Sequence, residues 1–429
     1  MAIGRQQRRA ERRAAVAAVF PAADAAERAL DLLELVELAW HDAYGEVTPP
    51  DDVVADLLTV SAGTLAGLLD AARVALLDRR DLRVAAGRRA VSAPAGEGRA
   101  RPVAVLAMSS QLAGAAFTPA QRERLARVVE LRQAEPLTTF EGADLADVEV
   151  ILGHWGCPPI DGGVLDRAPA LRLVAYAAGS VKERGTITPE VLDRGVLVTS
   201  AAAANAVPVA EYTLAAILLA NKGVFLAREW LRAPDEVRAR RPRPVGNLGK
   251  TVGIVGASLV GRRVIERLRP FDLDVVVTDP YLSPEDATEL GVRAVTLDEL
   301  LETADVVSLH APLLPSTTGM IGRAELACMK DGAVLVNTAR GAIVVTADLE
   351  AELETGRISA VLDVTDPEPL DAGSALFRLP NVFVTPHVAG AQGSELERLA
   401  DLALTEIERY VIGLPPLHPV RAEVLDRLA

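Results

Sequence analysis

The spacing of hydrophobic and polar residues changes once along this sequence. Between residues 24 and 90, apolar side chains such as Leu30 and Leu33 recur at helical intervals, and no strand pattern occurs. After the Pro/Gly-rich stretch 93–98, short runs of Val, Ile, Leu and Ala alternate with helical patterns. Strands that alternate with helices indicate a parallel sheet covered by helices on both faces. The pattern therefore predicts an α/β protein with a small all-helical extension at its N-terminus.

The predicted elements after the extension form two groups. The first group has strands at 102–108, 148–152, 171–175 and 196–198 and helices at 118–129 and 188–194. A long apolar helix is predicted at 209–219, and the Pro/Arg-rich segment 233–247 is predicted to cross the surface between the groups. The second group has strands at 252–255, 274–278, 306–309, 333–336, 359–364 and 382–384 and helices at 297–303, 347–354 and 395–410. We expect two doubly wound parallel-sheet lobes with a cleft between them.

The segment 251–281 has the pattern of a complete strand–turn–helix–strand unit. Its turn has the sequence GASLVG, from Gly256 to Gly261, and its second strand ends on Asp279. Small residues in such a turn let backbone N–H groups at a helix start approach a phosphate. Asp279 could accept hydrogen bonds from both ribose hydroxyls of NAD and would repel a 2′-phosphate. A Rossmann-like nucleotide unit is therefore expected; a βαβ crossover without a nucleotide is the alternative.

Composition and charge narrow the classes of function. The 429 residues suggest two or three domains, and a net charge of −14 argues against broad nucleic-acid binding. Two distant cysteines fit reduced thiols in a cytoplasmic protein, and no metal-ligand spacing occurs. No uncharged apolar run is long enough to span a bilayer. The basic stretch 1–13 faintly resembles a signal peptide, although the start of a helix is the preferred interpretation.

Polar residues follow successive predicted strands of the second group. They are Asp279, His310, Arg340, Asp363 and His387. The carboxyl ends of parallel strands meet at one edge of a sheet, where ligands bind. An arginine can bind a carboxylate through paired hydrogen bonds, and a histidine held protonated by an acid can transfer a proton. Beside a dinucleotide, this set predicts hydride transfer to a carbonyl compound.

Several segments at these positions resemble the D-isomer-specific 2-hydroxyacid dehydrogenases, and the resemblance covers roughly residues 101–420. The segments LVNTARG, DVTDPEP and TPHVAG are similar, in that order, to the family segments that carry the catalytic arginine, glutamate and histidine. The resemblance therefore implies catalytic roles for Arg340, Glu368 and His387. The sequence VAE, from Val209 to Glu211, resembles the start of the helix that links the two lobes in this family.

The resemblance also implies a cofactor and its contacts. The cofactor would be NAD, and Asp363 would contact its nicotinamide amide. The substrate carboxylate would be held by Gly179, Ser180 and Arg340. In the first lobe, His154 and Trp155 could touch substrate or be buried at a strand end. The expected cofactor-binding residues are Gly256, Ser258, Leu259, Val260, Gly261, Asp279, His310, Pro312, Thr317, Thr338, Ala339, Asp363, His387 and Gly390.

The implied function is the NAD-dependent interconversion of a 2-keto acid and a D-2-hydroxy acid. His387 would act as general acid and base, Arg340 would bind the carboxylate, and Glu368 would orient His387 and keep it protonated. Glyoxylate or hydroxypyruvate and 3-phosphoglycerate remain alternative substrates. The alternative function is an NAD(H)-sensing regulator, like the corepressors that resemble this family, with the helical extension binding a partner.

The implied organisation has three parts. Residues 1–95 form the helical extension, 101–204 with 389–429 form the substrate domain, and 205–388 form the NAD-binding domain. A homodimer is expected from the family alone.

The sequence departs from the family pattern at three places. Ser258 replaces the second glycine of the turn, the segment 179–183 lacks the usual Asp after its Val, and the extension has no family counterpart. We also expect no regulatory domain after Val420.

Overall fold

In the computed structural model of this chain, the described residues are 12–44, 51–72 without 62, 63, 66 and 70, 101–230 without 183 and 184, and 246–421. The chain divides into two compact units. One unit consists of Pro102–Ile407 and Leu417–Ala429, and the other consists of Met1–Arg101 and Glu408–Pro416.

The first sheet of the larger unit has five parallel strands in the order β2-β1-β3-β4-β5. All four residues of β3 and of β4 are buried, which explains their continuous apolar sequence. Its strands are β1 Val103–Ala107, β2 Glu130–Leu131, β3 Val150–Gly153, β4 Leu173–Tyr176 and β5 Leu197–Ser200. Its helices are Ser110–Ala113, Pro119–Val128, Gly162–Arg167 and Pro189–Asp193.

The second sheet has seven parallel strands in the order β12-β11-β10-β9-β6-β7-β8. The strand order reverses direction beside β6, which is where open α/β sheets bind ligands. Its strands are β6 Lys250–Val255, β7 Leu273–Thr278, β8 Arg293–Ala294, β9 Val306–Leu309, β10 Val334–Asn337, β11 Ser359–Leu362 and β12 Val382–Val384. The two parallel sheets confirm the predicted fold class.

Further described helices lie before, between and after the strands of the second sheet in sequence. Short 3-10 helices span Gly341–Ile343, Ala375–Phe377 and Gly393–Glu395. The α-helices are Val224–Trp230, Leu259–Leu268, Pro284–Leu290, Leu297–Thr303, Arg323–Cys328, Thr346–Glu354 and Leu396–Val411.

A 20-residue helix, Ala202–Asn221, follows β5, and we call it the crossing helix. It is longer than the predicted 209–219, and it is long and apolar enough to span a membrane by length and composition. The helix is not an uncharged run, because Glu211 lies within it. In the structure, Ala216 and Ile217 of this helix are buried with residues of the second sheet. A core helix passes the same length and composition test, and the crossing helix packs as one.

The smaller unit is helical throughout its described part, in agreement with the predicted extension. Residues 12–19, Ala23–Tyr44 and Asp51–Ser61 are helices around a core that includes Phe20, Leu30 and Leu57. Three features named in the sequence lie outside the described residues. They are the predicted linker 93–98, most of the Pro/Arg-rich surface segment 233–247, and Glu183. The predicted domain limits stay a prediction.

Candidate active site

The nucleotide turn has the close backbone packing that its glycines predict. Gly256 has φ +98°, and a Cβ there would lie 2.7 Å from the backbone nitrogen of Ala311. A Cβ on Gly261 would lie 2.1 Å from the carbonyl oxygen of Gly256. Any larger side chain at these two positions would therefore push the turn apart. A helix N-terminus of this kind can bind an anion through its backbone N–H groups.

Ser258 caps the helix that begins at Leu259. Its hydroxyl oxygen accepts a hydrogen bond from the Gly261 N–H at 3.3 Å. The hydroxyl proton is not used by this contact, so it can be donated to a phosphate oxygen. The next two predicted contact residues are the first two of the helix, with Leu259 exposed and Val260 half-buried. The substitution of serine for glycine is thus compatible with both the helix start and an anion.

The structure places Asp279 against the nucleotide turn. Its Oδ2 accepts a hydrogen bond from the Ala257 N–H at 2.7 Å, and its Oδ1 accepts one from the Tyr281 N–H at 2.7 Å. Each carboxylate oxygen has a further lone pair. The group is therefore fixed beside the turn and can still accept hydrogen bonds from ribose hydroxyls.

His310, Pro312 and Thr317 lie in the loop after β9. His310 is buried, its Nε2 is 2.9 Å from the Ser308 hydroxyl, and burial lowers its pKa to about 3. Its Cβ is 3.4 Å from the position of a Cβ on Gly261, so this side chain packs next to the nucleotide turn. The Thr317 hydroxyl donates to the Pro312 carbonyl at 2.6 Å and fixes the loop. A neutral, buried His310 has a structural place here.

The loop after β10 holds Arg340 through buried polar contacts. The Asn337 side chain accepts from the Ala339 N–H at 3.0 Å and donates to the Arg340 carbonyl at 2.9 Å. The Thr338 hydroxyl is 2.9 Å from the hydroxyl of Thr213 on the crossing helix. The half-buried guanidinium of Arg340 donates from Nη1 to the Ala339 carbonyl at 2.7 Å. Its other N–H groups can bind a carboxylate as a planar fork.

His387 and Glu368 are in direct contact. Nδ1 of His387 is 2.5 Å from Oε1 of Glu368, and each side chain is 43% exposed. Because the carboxylate occupies Nδ1, Nε2 remains the nitrogen that can face a substrate. Among the residues that the structure describes, His387 is the only non-glycine residue with a positive φ, at 54°. The sequence-predicted acid and base are therefore brought together, although they are 19 positions apart.

Asp363 is buried behind the loop that follows β12 and carries His387, which we call the histidine loop. Its Oδ1 accepts hydrogen bonds from the Thr385 hydroxyl at 2.6 Å and the Val388 N–H at 2.8 Å, and its Oδ2 accepts from the Ala389 N–H at 2.9 Å. Its backbone carbonyl accepts from the His387 N–H at 2.9 Å. Asp363 thus binds the backbone N–H groups of His387 and of the two residues that follow it.

The predicted substrate loop follows β4, and Gly179 and Ser180 are both half-buried there. Gly179 lies against Asn205 of the crossing helix, whose Nδ2 is 3.2 Å from the position of a Cβ on Gly179. The Asn205 Oδ1 accepts from the Ala391 N–H at 3.0 Å and packs against Gly390. The crossing helix therefore lies between the substrate loop and the histidine loop.

His154 is fully buried and does not reach a substrate position. Its Nδ1 accepts from the Trp155 N–H at 2.8 Å, and burial lowers its pKa to about 3. Trp155 is partly buried against a cluster that includes Ala391 and Leu396. Of the two open candidates in this loop, the histidine belongs to the core.

With this geometry in view, the comparisons with known proteins identify the family. A family model described as the NAD-binding domain of D-isomer-specific 2-hydroxyacid dehydrogenases matches residues 214–389. Glyoxylate reductase of Korarchaeum cryptofilum is 34% identical over 272 residues, which are 62% of this chain and 81% of that protein. The chain belongs to the D-isomer-specific 2-hydroxyacid dehydrogenase family.

A further relative is similar in sequence, and a solved structure is similar in fold. D-3-phosphoglycerate dehydrogenase of Mycobacterium tuberculosis is 38% identical over 257 residues, which are 59% of this chain and 47% of that protein. This chain thus matches about half the length of the phosphoglycerate dehydrogenases. The crystal structure of the TT0316 protein from Thermus thermophilus matches with a TM-score of 0.60 at 31% identity, covering 74% of this chain and 100% of that chain.

The family match confirms two predictions and leaves others as they were. The predicted family and the predicted cofactor, NAD, are confirmed, and the matched range contains the nucleotide turn, Asp279, Arg340 and His387. The roles of individual site residues, the homodimer and the cytoplasmic location stay predictions.

Five polar residues that support the candidate loops are not among the site residues that the sequence predicts. They are Asn205, Tyr212, Thr213, Asn337 and Thr385. A signal was present in the crossing helix, where Asn205, Tyr212 and Thr213 lie within a mainly apolar sequence. Asn205 and Tyr212 are two helical turns apart and therefore lie on the same side of the helix.

Proposed function

We propose that this protein is an NAD-dependent oxidoreductase that interconverts a 2-keto acid and a D-2-hydroxy acid. The observation that carries the proposal is the 2.5 Å contact between His387 and Glu368. It lies in the loops after β11 and β12, at the same edge of the sheet as Arg340 and the nucleotide turn. A base with an acid partner at this edge, beside an arginine, suits proton transfer to an anionic carbonyl compound.

Each proposed catalytic residue has one task. Arg340 binds the substrate carboxylate through its remaining N–H groups, together with the backbone at Gly179 and Ser180. His387 donates a proton from Nε2 to the carbonyl oxygen as that oxygen becomes a hydroxyl. Glu368 accepts from Nδ1 and stabilises the protonated imidazole. In the reverse direction, His387 takes the hydroxyl proton back.

The cofactor site fits NAD by the chemistry of its residues. When bound, NADH supplies the hydride that the carbonyl carbon receives. The glycine turn admits the pyrophosphate to the N-terminus of the helix that begins at Leu259. The Asp279 carboxylate accepts from ribose hydroxyls, and its negative charge opposes the 2′-phosphate of NADP.

We further propose a small, unphosphorylated substrate such as glyoxylate or hydroxypyruvate. In the described part of the first-lobe loops, 153–158 and 178–182, the basic side chains are His154 and Lys182. Burial keeps His154 neutral, so Lys182 is the basic side chain among these described residues that can meet a negative group. A phosphoryl group is bound best by several arginine or lysine side chains. Reduction of glyoxylate fits this loop better than reduction of 3-phosphohydroxypyruvate.

The test is to follow NADH consumption with glyoxylate, hydroxypyruvate, pyruvate and 3-phosphohydroxypyruvate, with the His387→Ala variant alongside. We expect turnover of one of the unphosphorylated acids. Turnover should fall by about 100-fold or more in the variant because a general acid contributes roughly that much. NADH binding by the variant, measured by fluorescence, should be retained.

Two outcomes would count against the proposal. Full activity in the variant would remove His387 from its role. Tight NADH binding without turnover of any acid would instead favour the NAD(H)-sensing regulator, with the helical unit as the partner-binding part. Preference for 3-phosphohydroxypyruvate would overturn only the substrate choice.

A further inference from the structure

The crossing helix contacts three loops of the proposed site: the substrate loop after β4, the loop after β10 that carries Arg340 (the arginine loop), and the loop after β12 that carries His387 (the histidine loop). Asn205 accepts from the Ala391 N–H after the histidine loop and packs on the substrate loop at Gly179. Thr213 pairs with Thr338 in the arginine loop at 2.9 Å. The third contact joins the hydroxyl of Tyr212 to the hydroxyl of Thr385 at 2.6 Å. This third contact continues into the buried carboxylate behind His387.

The direction of the hydrogen bonds in this series follows from the groups present. Both carboxylate oxygens of Asp363 accept from backbone N–H groups, and the Thr385 hydroxyl donates its single proton to Oδ1. Tyr212 must therefore donate to Thr385. Burial raises the pKa of Tyr212, which keeps the phenol protonated as this donor. Tyr212, Thr385 and Asp363 form an ordered series that we call the hydroxyl chain.

The hydroxyl chain ends where the backbone of His387 is unusual. His387 has φ 54°, a left-handed conformation that a non-glycine residue adopts only when its surroundings impose it. Asp363 supplies that constraint, because its carboxylate accepts from the N–H groups of Val388 and Ala389 and its carbonyl accepts from the N–H of His387. Turning or displacing this carboxylate would release the loop and move the imidazole.

We propose that Thr385 and Tyr212 are positioning residues for His387, acting through the carboxylate of Asp363. Thr385 fixes the rotation of that carboxylate, and Tyr212 fixes Thr385 from the crossing helix. This inference rests on the proposed function, because it assigns Thr385 and Tyr212 to the alignment of His387, the proposed general acid. It differs from the role in nicotinamide binding that the family resemblance implies for Asp363, because it predicts an effect on proton transfer.

Thr385→Val tests the chain by removing the hydroxyl while keeping the shape of the side chain. We expect kcat to fall about 10- to 100-fold, as expected for a misplaced catalytic group. The KM for the keto acid and the dissociation constant of NADH should change by less than about threefold. Thr385→Ser restores the hydroxyl and should recover most of the kcat. Tyr212→Phe should cause a smaller loss of kcat.

A matched control is Thr303→Val, which removes a hydroxyl that donates to the Glu299 carbonyl on an exposed helix surface. It should leave kcat and KM unchanged. A thermal melt of each variant shows whether the fold is kept. An unchanged kcat in Thr385→Val, or a loss that appears as weaker NADH binding, would overturn the inference.

A readout without turnover separates this inference from the proposed function. The chain has five histidines, so the Hε1 resonance of His387 can be assigned by its loss in His387→Ala. We expect the resonance to move in Thr385→Val and to return in Thr385→Ser. In one outcome, the wild type shows no turnover while the His387 resonance still moves in Thr385→Val and returns in Thr385→Ser. That result would contradict only the proposed function. An unmoved resonance would contradict the positioning role.

Discussion

At the scale of single residues, the proposed site depends on backbone contacts as much as on side-chain identity. Asp279 accepts from the Ala257 N–H of the nucleotide turn. Asn337 accepts from the Ala339 N–H and donates to the Arg340 carbonyl. The sequence could place Asp279, Arg340 and His387 at one edge of the sheet because each follows a strand. The sequence could not show that the backbone of His387 is in the left-handed region, because the contacts with Asp363 that hold this loop come from a distant part of the chain.

The first residue-scale prediction concerns cofactor choice. Asp279→Asn removes the negative charge while keeping a group that can accept a hydrogen bond. The ratio of kcat/KM for NADPH to that for NADH should rise by about tenfold, since repulsion of the 2′-phosphate is lost. Steady-state kinetics with both cofactors measures it. An unchanged ratio would show that Asp279 does not meet the ribose.

The second residue-scale prediction concerns the two buried histidines. Burial lowers the pKa of His154 and of His310 to about 3, from 6.5. Their NMR resonances should not shift between about pH 5 and 8, a range that lies above both values. In the unfolded chain both groups bind a proton below about pH 6.5, so the unfolded state takes up more protons than the folded state.

The free energy of unfolding should therefore decrease as pH falls from about 6.5 towards 3. Each histidine contributes a slope of up to about 1.4 kcal/mol per pH unit. Carboxylates act in the same direction, so the comparison is with His310→Gln, in which the slope should be smaller. Urea unfolding over this pH range gives both slopes, and equal slopes would mean that His310 titrates normally.

At the scale of elements, the limits of helices and strands with a clear local pattern were predicted closely. Elements and contacts that depend on distant parts of the chain were not predicted. Leu297–Thr303 and Val306–Leu309 occur at their predicted limits because their own sequences carry the pattern. The strands β2 and β8 have two residues each, too few to show an alternation. The contacts of the crossing helix were missed because Tyr212 and Thr385 are 173 positions apart.

An element-scale prediction follows from the helix at Pro119–Val128, whose start at Thr118 was predicted. The Thr118 hydroxyl accepts from the Gln121 N–H, and the Gln121 side chain accepts from the Thr118 N–H. Thr118→Ala should lower the free energy of unfolding by about 1 kcal/mol, because one N–H loses its partner. Thr118→Ser should retain the stability, and both variants should keep the wild-type kcat. Urea unfolding is the measurement; equal stability of the Ala variant would contradict the capping role.

At the scale of the whole molecule, strand order brings the proposed site together. Loops after β6, β7, β9, β10, β11 and β12 carry its residues, and all six strands are parallel in one sheet. The sequence predicts that these loops share an edge, but the order of the strands depends on pairings between distant segments. The role of the helical unit has no sequence motif to indicate it.

We propose that NADH bound to this chain passes a hydride to the carbonyl carbon of a 2-keto acid and that His387 supplies the proton. The most direct measurement uses NADH with deuterium at the transferring position of C4 and glyoxylate or hydroxypyruvate as acceptor. Mass spectrometry and NMR of the product should find the deuterium on C2 of the hydroxy acid, and the His387→Ala variant should form almost none. NADH oxidation that leaves no deuterium in the product would contradict the claim.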